Sequence, residues 1–152
     1  MGRNRLTDGR LTSVTGAKGY TSTDFSSADV STNPMWVEID LGADTDLDAA
    51  HLFPRTDTPA EGGGTAGFPV DFTLQTRTDG GTTYTTARTV TGEPNPNGAA
   101  QTYTLTSANV HYLRLTATKL GKSAADEATR YRLQLAEIRV VWQRPRAEPR
   151  TA

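Results

Sequence analysis

The sequence predicts an all-β sandwich, and three observations carry that prediction. Threonine supplies roughly one residue in six, a β-branched excess that favours strands over helices. Short apolar runs alternate with period two, most clearly in WVEIDLG (36–42) and YRLQLAEIRVVW (131–142). Between the runs lie 14 glycines and 8 prolines, the spacing of many short strands joined by turns. At 152 residues the chain is long enough for one domain with a core of its own.

The elements follow in order. Residues 1–33 are rich in Thr, Ser, Gly and Asp and read as a long folded loop or a short strand with turns. Val37, Ile39 and Leu41 alternate with Glu38 and Asp40, a half-buried strand ended by Gly42; Trp36 must then face opposite to Val37. Residues 47–54 form a second, less regular strand. A long glycine-rich loop follows, RTDTPAEGGGTAGFP (55–69), of a length usually reserved for function. Val70, Phe72 and Leu74 alternate with polar partners, and Asp79-Gly80-Gly81 turns that strand into its return, 84–90. Residues 93–98 (EPNPNG) are a turn-rich loop, 101–105 a short strand, and Leu113, Leu115 and Ala117 the inward face of another. Residues 121–130 read as a polar loop, and 131–142 as the last strand. The total is seven or eight strands and no helix. A domain over 1–142 is expected to be followed by a flexible tail or linker, 143–152, with two prolines and no apolar period.

That last strand carries a fault. Its apolar residues run Leu133, Leu135, then Ile138, Val140, Trp142. Odd positions become even, and a one-residue slip turns every later side chain to the other face. A β-bulge at Ala136–Glu137 would absorb the slip and keep both apolar sets on the core. A carboxylate beside a buried face needs a partner.

Composition excludes several function classes. With 16 basic and 17 acidic residues the formal charge is -1, far from the basic footprint of a nucleic-acid binder. No apolar run approaches the roughly 18 residues of a membrane span. The polar start, MGRNRLTDGR, is not a signal peptide. Cysteine is absent, so neither disulfides nor thiolate metal sites operate. The two histidines, His51 and His111, lie far apart, and no nucleophile or phosphate-loop motif occurs. A catalytic role therefore starts poorly, although paired carboxylates would be brought together only by the fold.

A metal site starts better. Asp8-Gly9 opens the chain among Asn4, Thr7, Thr12, Ser13 and Thr15, and calcium takes six to eight oxygen ligands of these kinds. Asp8 and Glu137, with backbone carbonyls such as that of Ala136, would build a cage. The alternative is that Asp8 starts a turn and Glu137 pairs with a surface arginine.

NRLTDG, GYTS (19–22), PMWVEIDLG, LFPRTD (52–57), FPVDFTLQTRTDGG, HYLRLTATKL and RLQLAEIRV occur in an order that resembles the discoidin domains. These are also called coagulation factor V/VIII C-type domains, and the bacterial ones include family 32 carbohydrate-binding modules attached to glycoside hydrolases. The resemblance runs from Arg5 to Val141. It implies a jelly-roll β-sandwich of about eight antiparallel strands, galactose-binding-domain-like, with ligand loops at one end. It also implies a structural Ca2+ between the N-terminal turn and the last strand, on Asp8, Ala136 and Glu137, with Thr12 or Ser13 as the hydroxyl ligand.

In sugar-binding members a PR-x-D segment supplies an arginine to the saccharide, and here that is Arg55 with Asp57 beside it. A guanidinium fork donates to paired hydroxyls, a carboxylate accepts from them, and an aromatic ring stacks on the sugar. Tyr20, Phe68 and Tyr131 are the candidate rings. Replacing Arg55 is expected to remove binding and leave stability unchanged. The insertion PAEGGGTAG (59–67) departs from the short turn of galactose-binding relatives. The function implied is a non-catalytic, secreted or cell-surface module that carries a linked catalytic domain to a saccharide or polysaccharide. The competing expectations are an adhesion or protein–protein module, with Phe68 in an exposed apolar patch, and a structural spacer in a larger secreted glycoside hydrolase.

Overall fold

The computed structural model describes residues 20–60, 62–124 and 130–142. These hold nine strands and no helix. The strands are β1 (Tyr20–Thr21), β2 (Met35–Phe53), β3 (Asp71–Arg77), β4 (Thr85–Val90), β5 (Gln101–Lys119), β6 (Gly121–Lys122), β7 (Tyr131–Arg132), β8 (Gln134–Leu135) and β9 (Glu137–Trp142). One antiparallel sheet has the order β4-β3-β5-β2-β9, and two short ladders pair β1 with β8 and β6 with β7. The core lies between the large sheet and the short ladders: Leu133 and Leu135 join Val37, Leu74, Leu113 and Leu115 in one buried cluster. Phe72 and Tyr103 meet there edge to face, 5.3 Å apart at 90°. This is the all-β, antiparallel jelly-roll sandwich that the sequence predicts.

Two pairs of expected strands are fused. Residues 36–42 and 47–54 form one strand, β2, and 101–105 and 112–117 form one strand, β5. The polar stretch between each pair bends the chain without ending it. Side chains replace ladder bonds at the bend: Gly42 N–H donates to Asp40 Oδ1 at 2.8 Å, and Asn109 N–H to Asp46 Oδ1 at 2.8 Å. Gly42 and Asn109 both hold positive φ there (81° and 56°). A register shift between Leu47 and Ala49 moves the inward set of β2 from Val37 and Leu47 to Ala50 and Leu52. The Asp79–Gly81 hairpin forms as expected, joining β3 to β4.

The last segment does more than a single strand. Within twelve residues it pairs with β6 through β7, with β1 through β8, and with β2 through β9. The fault is a bulge at the expected place. Ala136 N–H donates to Phe53 O at 2.8 Å, while Glu137 is the register partner of Phe53. Two residues thus oppose one, the definition of a β-bulge. Leu133 and Leu135 are buried before it and Ile138 after it. Trp142 departs from the expected core set and is 54% exposed. It sits at the far end of an edge strand, with a neighbour on one side only.

Candidate functional site

The glycine-rich insertion folds into a tight turn. Ala60 N–H donates to Gly64 O and Gly63 N–H to Ala60 O, each at 2.9 Å, and Pro59 pairs with Thr65. Gly62, Gly63 and Gly64 take φ of 84°, 101° and 79°, a run that glycine alone adopts without strain. The loop then threads between two other segments. Gly67 N–H donates to Lys122 O at 2.7 Å, and Gly67 O accepts from Gln134 N–H at 2.9 Å. A side chain on Gly67 would collide with Gln134.

The loop 93–98 is fastened to this turn. Thr65 N–H donates to Asn95 Oδ1 at 2.8 Å, and Asn95 Nδ2 donates to Thr65 O at 3.1 Å. Gly98 N–H adds a bond to Thr65 Oγ1 at 2.7 Å. A clear division results. On one side of the turn a cleft of about 270 Å³ is lined by Phe68, Glu93, Asn95, Lys119, Lys122 and Tyr131, among others. On the other side a cleft of about 300 Å³ is lined by Arg55, Thr56, Thr58, Asn97 and Gly98. Thr65 lines both. Each is near the lower bound of ordinary ligand pockets, about 300 Å³.

Three of the five residues expected to bind ligand line these clefts, and Tyr20 and Asp57 line neither. Phe68, 4% exposed, and the half-buried Tyr131 line the first. Arg55 lines the second, and Tyr20 lines neither: it pairs with Leu135 in β1 and packs on the core. Arg55 is buried and already paired. Its Nε donates to Asp57 Oδ1 at 2.6 Å and its Nη2 to Asp57 Oδ2 at 3.0 Å, with side-chain exposures of 0% and 4%. The fork expected to grip hydroxyls is engaged by Asp57. A buried pair of this kind ordinarily holds structure, which weighs against the expectation that replacing Arg55 leaves stability unchanged. Phe68 is too buried to centre an exposed apolar patch, which removes the adhesive surface expected of it.

Glu93, Asn95, Lys119 and Lys122 were not singled out in the sequence. The proline and asparagine spacing of 93–98 signals a turn, but nothing local says that the turn closes on Thr65.

Of the expected metal ligands, Asp8, Thr12 and Ser13 lie outside the described residues. Ala136 and Glu137 are both buried, and Arg139 Nε stands 3.7 Å from Glu137 Oε1. Among the described residues no group of three or more His, Asp or Glu could hold a metal by itself. A buried carboxylate is a ligand of the kind that a hard cation such as calcium takes, and Glu137 also faces Arg139, the arginine pairing that the sequence left as the alternative.

The chain resembles several solved bacterial modules. The third CBM32 module of a family 31 glycoside hydrolase from Clostridium perfringens matches 93% of this chain and 83% of its own, at 18% identity and a TM-score of 0.69. The family 32 module of C. perfringens NanJ, solved in complex with galactose, matches 91% and 82%, at 18% identity and a TM-score of 0.62. Chitosan-binding module 1 of a chitosanase/glucanase from Paenibacillus sp. IK-5 matches 92% and 84%, at 22% identity and a TM-score of 0.59. At these identities the likeness establishes the fold. No curated protein matches the chain. The F5/8 type C domain description matches residues 4–135, nearly the whole β-sandwich, and the chain therefore belongs to that family.

Proposed function

We propose that this chain is a non-catalytic carbohydrate-binding module, and that the cleft at Phe68 and Tyr131 takes the saccharide. The observation that carries this reading is the cleft's lining. Glu93 accepts from hydroxyls, Lys119 and Lys122 donate to them, and Tyr131 offers an aromatic ring. A cleft of about 270 Å³ admits one sugar unit with its neighbours in solvent. Arg55 and Asp57 hold the wall of the second cleft rather than the sugar itself. Family membership supports the same class, as do the galactose and chitosan named for two of the similar structures.

The wider setting follows the same support. The similar modules come from a glycoside hydrolase and a chitosanase/glucanase, so a linked catalytic domain and a secreted or cell-surface location are part of the proposal. The module would raise the enzyme's local concentration on its glycan without performing chemistry. A single-site dissociation constant of ~1 mM is expected, equivalent to about 4 kcal/mol.

A glycan array followed by calorimetry with wild type, Glu93→Ala and Tyr131→Ala tests the reading. Each variant is expected to weaken binding at least tenfold with its fold intact. Wild-type affinity in both variants would move the site elsewhere, and no binding across the array would remove the function.

A further inference from the structure

The outer face of the large sheet carries an organised array that the clefts do not use. Three rows of register partners cross β2, β5 and β3: Trp36–Thr116–Thr73, Glu38–Arg114–Gln75 and Asp40–Tyr112–Arg77. Rings and guanidiniums alternate along it. Arg114 Cζ lies 3.8 Å from the Trp36 ring centroid and 4.1 Å from that of Tyr84. Arg77 Cζ lies 5.6 Å from the Tyr84 centroid and 3.9 Å from that of Tyr112. Glu38 joins the column: the Tyr84 hydroxyl donates to its Oε1, Arg114 Nε stands 3.6 Å from Oε1, and Arg77 Nη2 3.8 Å from Oε2. Trp36 stays 39% exposed even with Arg114 stacked on it.

We propose that this face is a second saccharide-binding surface, for a neutral polysaccharide chain, with Trp36 as its stacking ring. The inference rests on the carbohydrate reading above but not on which cleft is filled. Three features choose this occupant. The nine positions carry two arginines against Glu38 and Asp40, so the face is balanced and attracts neither a polyanion nor a polycation. They contain no aliphatic residue; Thr116 Oγ1 donates to Gln75 Oε1 at 2.9 Å, and the Gln75 NH2 and the Thr73 hydroxyl are suited to sugar hydroxyls. A protein partner also favours Trp, Tyr and Arg, but it needs an apolar centre, and the centre here is Glu38–Arg114–Gln75. The rings are already clamped by the guanidiniums, so little side-chain freedom remains to be lost on binding. A chain lying on such a platform also adds avidity to a weak cleft.

The test is affinity electrophoresis in gels holding galactomannan, mixed-linkage β-glucan or polygalacturonate. It compares wild type, Trp36→Ala, Trp36→Phe and Tyr131→Ala. In parallel the Trp36 indole N–H resonance, assigned through Trp36→Phe, is followed by NMR during titration with oligosaccharides of the retained polymer. Trp36→Ala is expected to lose about tenfold in affinity for a neutral polymer while still binding a monosaccharide. Trp36→Phe should recover part of the loss, and the indole signal should move. Equal retention of Trp36→Ala and wild type, with an unmoved indole, overturns this surface and leaves the cleft reading intact. Retention on polygalacturonate alone overturns the choice of a neutral ligand. Loss of all binding in Tyr131→Ala, with Trp36→Ala unaffected, assigns everything to the cleft. A wild type retained by no polymer and bound by no monosaccharide overturns both.

Discussion

The Asn95 side chain treats Thr65 as a neighbouring strand would, accepting from its backbone N–H and donating to its backbone C=O. Thirty residues apart in sequence, the two loops become one wall shared by both clefts. Asn95 Oδ1 also accepts from Asn97 N–H at 3.0 Å, so loss of the amide leaves three backbone groups to solvent. Asn95→Ala is expected to cost about 1 to 3 kcal/mol, three ordinary hydrogen bonds at a partly exposed site. Hydrogen exchange at the Thr65 amide should accelerate more than at the Leu74 amide in β3. Unchanged exchange at Thr65 would mean that the wall stands without Asn95.

Arg55→Ala is expected to destabilise the domain by about 3 kcal/mol, because it strands the Asp57 carboxylate in a site where both side chains are almost wholly buried. Arg55→Lys should recover little, since an ammonium does not reproduce the two-pronged contact. Urea denaturation decides the matter. A midpoint equal to wild type would return Arg55 to the role of a ligand residue held loosely at the surface.

Calcium is proposed to bind at Glu137, and its removal should then lower the melting temperature by mass action. EDTA is expected to lower it, added calcium to restore it, and magnesium to restore it poorly, since magnesium demands a stricter octahedron. Glu137→Gln should make the domain insensitive to EDTA. A wild type with the same melting temperature after prolonged chelation and after calcium addition would rule the metal out.

His111 links stability to pH at the bend of the large sheet. Its Nδ1 lies 3.1 Å from Asp44 Oδ1 and its Nε2 3.2 Å from Asp40 Oδ1. The hydrogen bond to Asp44, helped by the charges of Asp79, Asp40 and Asp44 and opposed by partial burial, raises its pKa above the ordinary 6.5. A group whose pKa is raised on folding stabilises fully below its unfolded value, and that contribution is lost as pH rises through the folded value. Wild type should therefore lose stability relative to His111→Asn as pH rises above about 6.5, and salt should shrink the difference because the Asp40 and Asp44 carboxylates are exposed. Parallel pH profiles for the two proteins would refute the coupling.

Alternation in Trp36–Gly42 and the slip at Ala136–Glu137 were legible because a strand's side-chain period is local: two neighbours in sequence decide which face each residue takes. The ordered motifs from NRLTDG to RLQLAEIRV likewise pointed to the family before any contact was known. The fusion of 36–42 with 47–54 was not legible. GADTD reads as a turn until Asp46 is placed against Asn109, 63 residues later.

The sequence by itself determined an all-β sandwich, most of its inward residues, the position of its bulge and its family. Tertiary structure alone decided that Arg55 is buried against Asp57, that Phe68 and Tyr131 line a different cleft from Arg55, and that Trp36, Tyr84 and Tyr112 share one column with two arginines. The reason is physical. Period and turn chemistry act over a few residues, whereas burial and stacking depend on which distant strands pairing brings within about 5 Å of one another.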